Sequence, residues 1–144
     1  MKYSLADYVL SIKTNDASLK PFGTITIGGE GTALDSISID YANDMWETTS
    51  FATGAWIQNK NLARNGTIEL TLSQLSDQVA KFIQLVNVFR SGDYKGLTVS
   101  LVDSTGTQIA DCVECYFTKI PTQEFGDRAG MQTWRLTAGQ ITIG

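Results

Sequence analysis

The sequence contains no histidine, and with it are lost the commonest general base and the commonest metal ligand. Lysine and arginine number 11 against 15 acidic residues, a net charge of −4. No cluster of them forms the basic patch with which a protein grips nucleic-acid phosphates. Cysteine occurs twice. Cys112 and Cys115 spell CxxC, but they sit in QIADCVECYFTKI, which reads as a strand, where residues three apart point to opposite faces. A metal site of this type would also want a second pair or histidines, so the pair reads as two small buried side chains. No run approaches the ~20 apolar residues of a membrane helix. MKYSLADYVLSIK interrupts its apolar residues with Asp7 and Ser11 and has no small-residue cleavage site. The expectation is a protein that stays in the compartment where it is made and does not enter a membrane.

Without histidine, acid/base chemistry would fall to carboxylates such as Asp40, Asp44, Glu47, Asp111 and Glu114. No apolar pocket signal surrounds any two of them, and they read as solvated strand and loop residues. IGGEGT at Ile27 to Thr32 is followed by another strand pattern, not by a helix whose N-terminus could receive a phosphate, and it reads as a hairpin turn. The sequence thus predicts a non-enzyme with no cofactor and no metal.

What is present is a β-rich composition. Apolar residues make up 42% of 144, with 13 glycines and 2 prolines, which suits a globular chain and not a disordered one. The length fits one domain, residues 1–144, burying about 70% of its unfolded surface. In Asn65 to Gly92 two periods stand side by side. Ile68, Leu70 and Leu72 alternate with Thr67, Glu69 and Thr71, the pattern of a half-buried strand. Leu75, Val79, Phe82, Ile83, Val86 and Phe89 then recur at three- and four-residue steps, which predicts a helix over about 77–90 that packs through Val79, Phe82, Ile83 and Val86. Ser76 can cap its start; Arg90 and Gly92 mark its end. No other segment reads as a helix, so this one must cover a sheet.

Strand patterns fill the rest: Tyr3 to Ile12, Phe22 to Gly28, Leu34 to Tyr41, Leu97 to Val102, Gln108 to Ile120 up to a break at Pro121, Met131 to Ala138, and Gln140 to Ile143. Asn15-Asp16 and Asp103 to Gly106 supply turns. The fold class is mainly β, an antiparallel β-sandwich or barrel with one flanking helix. The polar faces of the strands carry Ser36, Ser38 and Asp40, then Thr67, Glu69 and Thr71, with Thr24, Thr26, Gln140 and Thr142. No Lys or Arg appears among them, whereas ordinary solvated faces mix both signs. Threonine also simply suits strands. The alternative is a surface meant to be wet, smooth and mildly negative.

Residues Ala42 to Arg64 form a segment longer than most connections in a compact domain. Asp44 opens an interface candidate that continues with Met45, Trp46, Phe51, Trp56, Ile57 and Leu62. Aromatic and Met enrichment on a protruding loop or hairpin is what protein interfaces show. Burying each aromatic contributes on the order of 2 kcal/mol, so either the chain's own sheet or a neighbour must take them.

SISID, YAND, a glycine-containing excursion and NGTIELTLSQLSDQVAKF follow one another in a way that resembles the tail tube proteins of contractile-tailed bacteriophages. The closing TGTQIADCVECYFTKIPTQEFGDRAGMQTWRLTAGQITIG, with its Lys119 to Pro121 break and Trp-containing strand, is similar to that family's ending. The resemblance covers roughly Ile37 to Gly144. It implies a virion subunit assembled in the host cytoplasm into stacked, hexameric rings that form a hollow tube. The partners it implies are further copies of the chain, the tail sheath, baseplate and tail terminator proteins, and DNA that passes without specific binding. In that reading Ser36, Ser38, Asp40, Thr67, Glu69 and Thr71 face the lumen, the helix covers the outer side, and the 42–64 element bridges rings or neighbours. The injection-machine inner tubes share this architecture. A monomeric β-sandwich using Trp46, Trp56 and Tyr41 to stack on a carbohydrate or another small ligand is the alternative.

Overall fold

The computed structural model describes residues 8–16, 23–28, 34–73, 77–103, 105–123, 125–126 and 130–144. In chain order they form β1 (Tyr8–Lys13), β2 (Thr24–Gly28), β3 (Leu34–Tyr41), β4 (Trp46–Ser50), β5 (Trp56–Lys60), β6 (Gly66–Ser73), helix α1 (Asp77–Ser91), β7 (Leu97–Asp103), β8 (Gln108–Phe117) and β9 (Met131–Ile143). Seven strands pair antiparallel in the order β2-β1-β7-β8-β9-β6-β3, and β4 with β5 makes a separate two-stranded sheet. The expected mainly β fold with one helix takes the form of a curled sheet, a half-barrel. Part of the first expected strand, Tyr3 to Asp7, lies outside the described residues, as do Phe22, Leu75 and Ser76.

Chain connectivity explains the curl. β2 and β3 are consecutive in sequence yet occupy opposite edges of the sheet. The strands flanking IGGEGT are therefore not hairpin partners: β2 pairs with β1, and β3 pairs with β6, while residues 29–32 of that stretch lie outside the described residues. Alternation shows which face of a strand is buried but not which strand lies beside it, hence the error. From Gly28 to Leu34 the chain can reach about 20–22 Å, whereas seven strands laid flat would hold the two edges about 29 Å apart. The sheet must bend toward itself for the connection to be made.

The apolar face carries the core. Leu10, Ile12, Ile25, Ile27, Ile68, Leu70, Leu72 and Leu136 are fully or almost fully buried, and α1 adds Val79, Phe82 and Val86, with Ile83 packed partly buried against them. Leu85, absent from the sequence-derived stripe, is also fully buried. Phe82 sits at the centre, its ring centroid 5.1 Å from Phe117 and 5.4 Å from Trp134. Arg90 lies in the helix's last turn, where it complements the negative dipole end. The helix ends at Ser91, directly before Gly92 as expected; Ser91 Oγ donates to the Val88 carbonyl at 2.7 Å, and Gly92 does not take a left-handed φ.

Trp134 Nε1–H donates to Gln132 Oε1 at 3.3 Å, and Gln132 Nε2 donates to Gln123 Oε1 at 3.2 Å. Gln123 Nε2 in turn donates to the Pro121 carbonyl at 3.0 Å. This relay satisfies the buried Gln132 and ties the segment after the Pro121 break to the core. At the opposite end of the sheet, Asp103 accepts from Thr105 Oγ1, Thr105 N and Thr107 N. These bonds, led by the Thr105 hydroxyl, hold its carboxyl below the usual range and lock the β7–β8 turn.

Both cysteines are buried as expected, but on one face of the strand and not on opposite faces. Both thiols lie in the core, because β8 carries a bulge: Leu97 faces Cys115 while Val99 faces Cys112. The extra residue resets the alternation. Glu114 takes the strain with a φ of 54°, a left-handed conformation that costs a non-glycine residue roughly 1–2 kcal/mol. Two glycines, one just before β7 and one on β9, make room. A Cβ on Gly96 would stand 2.8 Å from Glu114 Cα, and one on Gly139 would stand 3.0 Å from Glu114 Cβ. Burial pushes the Cys112 thiol up to about 11 and the Cys115 thiol up to about 12. Since the thiolate is the reactive form, iodoacetamide at pH 8 is expected to leave both unmodified in the native protein and to alkylate both in denaturant. Mass spectrometry reads the difference.

Candidate functional site

The face of the sheet turned away from α1 brings the six candidate lumen residues together. Cross-strand register places Ser36, Thr71 and Thr133 in one row, Ser38, Glu69 and Arg135 in the next, and Asp40, Thr67 and Thr137 in a third. Ser36, Ser38 and Asp40 are exposed; Thr67, Glu69 and Thr71 are half-buried. A further row, Thr26, Ser11, Ser100, Asp111 and Thr142, crosses five strands. Gln140 is exposed near it.

This face is polar as expected, but it is not free of cations. β9 contributes Arg135 directly opposite Glu69, with Nη2 2.7 Å and Nε 2.9 Å from the same carboxylate oxygen. Lys13 on β1 has the same strand parity as Ser11 and is exposed. The alternation of Arg135 with the buried Trp134 and Leu136 was the signal for a cation on this face; its pairing with Glu69 follows only from the sheet register.

The Ala42 to Arg64 segment is an ordered arm that prolongs the β3–β6 pair. Ala42 N donates to the Asn65 carbonyl at 3.0 Å, and Asn61 N donates to the Met45 carbonyl at 2.8 Å. Between those bonds three residues, Leu62–Arg64, oppose two, Asn43 and Asp44, so the arm leaves the sheet with a one-residue offset. β4 and β5 then pair regularly from Trp46↔Lys60 to Ser50↔Trp56. A turn at Phe51 to Ala55 closes them, with Gly54 at a φ of 88°. Every strand residue of the arm is exposed. Its surface ladder consists of Thr48 Oγ1 donating to Gln58 Oε1 at 2.9 Å, Asn59 Nδ2 donating to Thr49 Oγ1 at 3.0 Å, and Lys60 Nζ 5.7 Å from the Trp46 ring centroid.

The arm does not fold back onto its own sheet. Trp46 is 53% exposed, Trp56 65% and Leu62 77%, and Met45, Phe51 and Ile57 are exposed with them. A two-stranded hairpin is marginal in water by itself, and this one has no core side to compensate. Trp46 and Trp56 share one side of the ladder but stand four positions apart, about 13 Å at 3.3 Å per residue. Tyr41 is elsewhere, its hydroxyl donating to the Ile141 carbonyl at 3.1 Å. It lines a cleft of about 880 Å³ at the arm's base with Met45, Leu62, Arg64, Ile141 and Ile143. The three rings therefore do not form one stacking platform.

The sheet edges differ. β2 has its Thr26 carbonyl approached by Gln78 Nε2 of α1 at 3.4 Å. β3 pairs on one side with β6 and has no strand on the other among the described residues. The acidic residues weighed for catalysis are dispersed: Asp40 on the open face, Asp111 held by Ser100 Oγ at 3.1 Å, Glu114 on the bulge, and Asp44 and Glu47 on the arm.

Solved structures of similar shape come from contractile injection systems. The chain matches one in an extracellular contractile injection system, the PVC sheath-tube complex in the extended state, with a TM-score of 0.61 at 12% identity over 99% of this chain and 91% of that one. It also matches a chain of the PVC sheath/tube terminator in the extended state, with a TM-score of 0.56 at 14% identity over 100% and 97%. A third, in the anti-feeding prophage cap described as the AFP tube terminating cap, gives 0.53 at 13% identity over 100% and 93%. At such identities these likenesses establish the fold. No curated protein matches the sequence. The family of the bacteriophage PhiTE tail tube protein matches over residues 1–144. The chain belongs to that family, and it is accordingly a structural component of a virion tail tube and not an enzyme.

Proposed function

We propose that the chain acts as one tail-tube-like domain that closes into hexameric rings, and that the rings stack into a hollow conduit for DNA. The carrying observation is the arm: six large apolar side chains exposed on a two-stranded ladder without a core of its own. Burying them against neighbouring copies would contribute on the order of 10 kcal/mol before the costs of association. Asp44, Met45, Trp46, Phe51, Trp56, Ile57 and Leu62 form this ring- and subunit-bridging interface. The open edge of β3 supplies a second one, since an unpaired edge is a template for another strand, and a repeated head-to-tail contact makes rings when the rotation closes.

In this assembly the face bearing Ser36, Ser38, Asp40, Thr67, Glu69 and Thr71 lines a wet, mildly acidic lumen, and α1 lies outside. DNA passes without specific binding because like charges within a Debye length of about 8 Å repel it. Sheath, baseplate and tail terminator proteins are the further partners, and assembly takes place in the host cytoplasm. Negative-stain microscopy of the concentrated, purified protein is expected to show rings or hollow polymers of uniform diameter. Persistent monomers, also in the presence of tail-initiating complexes, would contradict the proposal.

A further inference from the structure

We infer that Glu69 is a guard residue: its carboxylate occupies the guanidinium of Arg135 and thereby keeps the open face from binding phosphate. The inference rests on the reading that this face lines the conduit. Arginine's planar fork matches phosphate as well as it matches carboxylate, so an unpaired arginine among hydroxyls is a ready phosphate contact. Arg135 is such a residue by position. Its side chain is 54% exposed, and it stands in a field of Ser and Thr from β3, β6 and β9. Its contacts through Nε and Nη2 both go to Glu69 Oε1.

The pair is built in by the register and not by chance reach. Glu69 and Arg135 are direct cross-strand partners, the arrangement in which opposite charges interact best on a sheet. The same lateral pairing recurs over the face: Thr71 Oγ1 and Thr133 Oγ1 lie 3.1 Å apart, and Ser100 Oγ donates to Asp111 Oδ1 at 3.1 Å. Polar groups here turn to one another, which leaves few donors aimed outward. Arg135 in turn relieves the repulsion that Glu69 would exert on Asp40, one row away. With the pair neutral, Asp40 gives these three rows their net negative sign. Losing the Glu69 carboxylate would remove that sign and free a cation in every subunit at once, and such an array is what makes polyanion binding strong and salt-dependent.

The test assembles tubes in the presence of a short fluorescent DNA duplex, digests outside DNA with nuclease, and measures protected DNA in the pelleted tubes. Glu69→Gln keeps the shape of the side chain and removes its charge. It is expected to raise protected DNA at least tenfold over wild type at low salt, with the gain vanishing by about 0.5 M salt. Glu69→Gln combined with Arg135→Gln should return to the wild-type level. Thr133→Lys adds a cation on the same face, opposite Thr71 with no acid directly across, and reports whether the face is luminal. DNA retained by Thr133→Lys but not by Glu69→Gln would overturn the guarding role alone. No retention by either variant, in tubes of normal diameter, would overturn the luminal placement, and the inference with it.

Discussion

Replacing Trp46 and Trp56 together by serine is expected to abolish tube formation while leaving the subunit folded. Both rings are more than half exposed in the isolated chain, so their loss opens no cavity and removes little from the core. At an interface the same rings are the kind of anchor that carries most of the binding energy. Even 1 kcal/mol lost per subunit becomes about 6 kcal/mol per ring in the proposed hexameric assembly, which raises the concentration needed for stacking by roughly four orders of magnitude. Sedimentation and negative stain should find rings or smaller species where wild type gives tubes, with circular dichroism unchanged and the melting temperature within about 2 °C. Normal tubes at the wild-type concentration would remove the arm from the assembly interface.

Gly66→Ala is expected to damage the fold itself. Gly66 is buried at the start of β6, between Tyr41 of β3 and Ala138 of β9. An added Cβ would overlap the carbonyl oxygen of Asp40 and come within 2.5 Å of Ile141 Cδ1. A side-chain methyl can give way; a backbone carbonyl held in a ladder cannot without breaking β3 from β6. Overpacking of this kind costs about 3 kcal/mol or more, a fall in melting temperature of roughly 10 °C for a chain of this size. Gly126→Ala serves as the control, since a Cβ there meets nothing within 4 Å. A Gly66→Ala protein that melts with wild type would contradict the packing at the root of the arm.

These two positions also show what the sequence could and could not convey. The strict alternation of β6 and the three- and four-residue spacing of Val79, Phe82, Ile83 and Val86 were legible because each depends only on neighbours within the same element. Partner choice was not. β2 and β3 look like a hairpin until β1 and β6 claim them. Cys112 and Cys115 should point to opposite faces of a regular strand, and share the core only because Gly96, just before β7, and Gly139 of β9 leave space for the Glu114 bulge. Arg135 reaches Glu69 by register alone. Leu85 stands three residues after Phe82, beside the stripe that Ile83 and Val86 continue, and is buried with it. The arm announced itself by composition. Whether it is a loop or a hairpin stayed undecided, since WETTS and WIQNK bury no face in the subunit and so carry no strand alternation.

In the proposed assembly this subunit's open face lines a conduit and its arm reaches neighbouring copies. Cryo-electron microscopy of assembled tubes at side-chain resolution tests it directly. The expected result is a hollow tube of six-subunit rings, with Ser38, Glu69 and Arg135 pointing to the lumen, α1 outside, and Trp46 and Trp56 buried against other copies. Tubes with that face turned outward, or with the arm packed only on its own subunit, would contradict it.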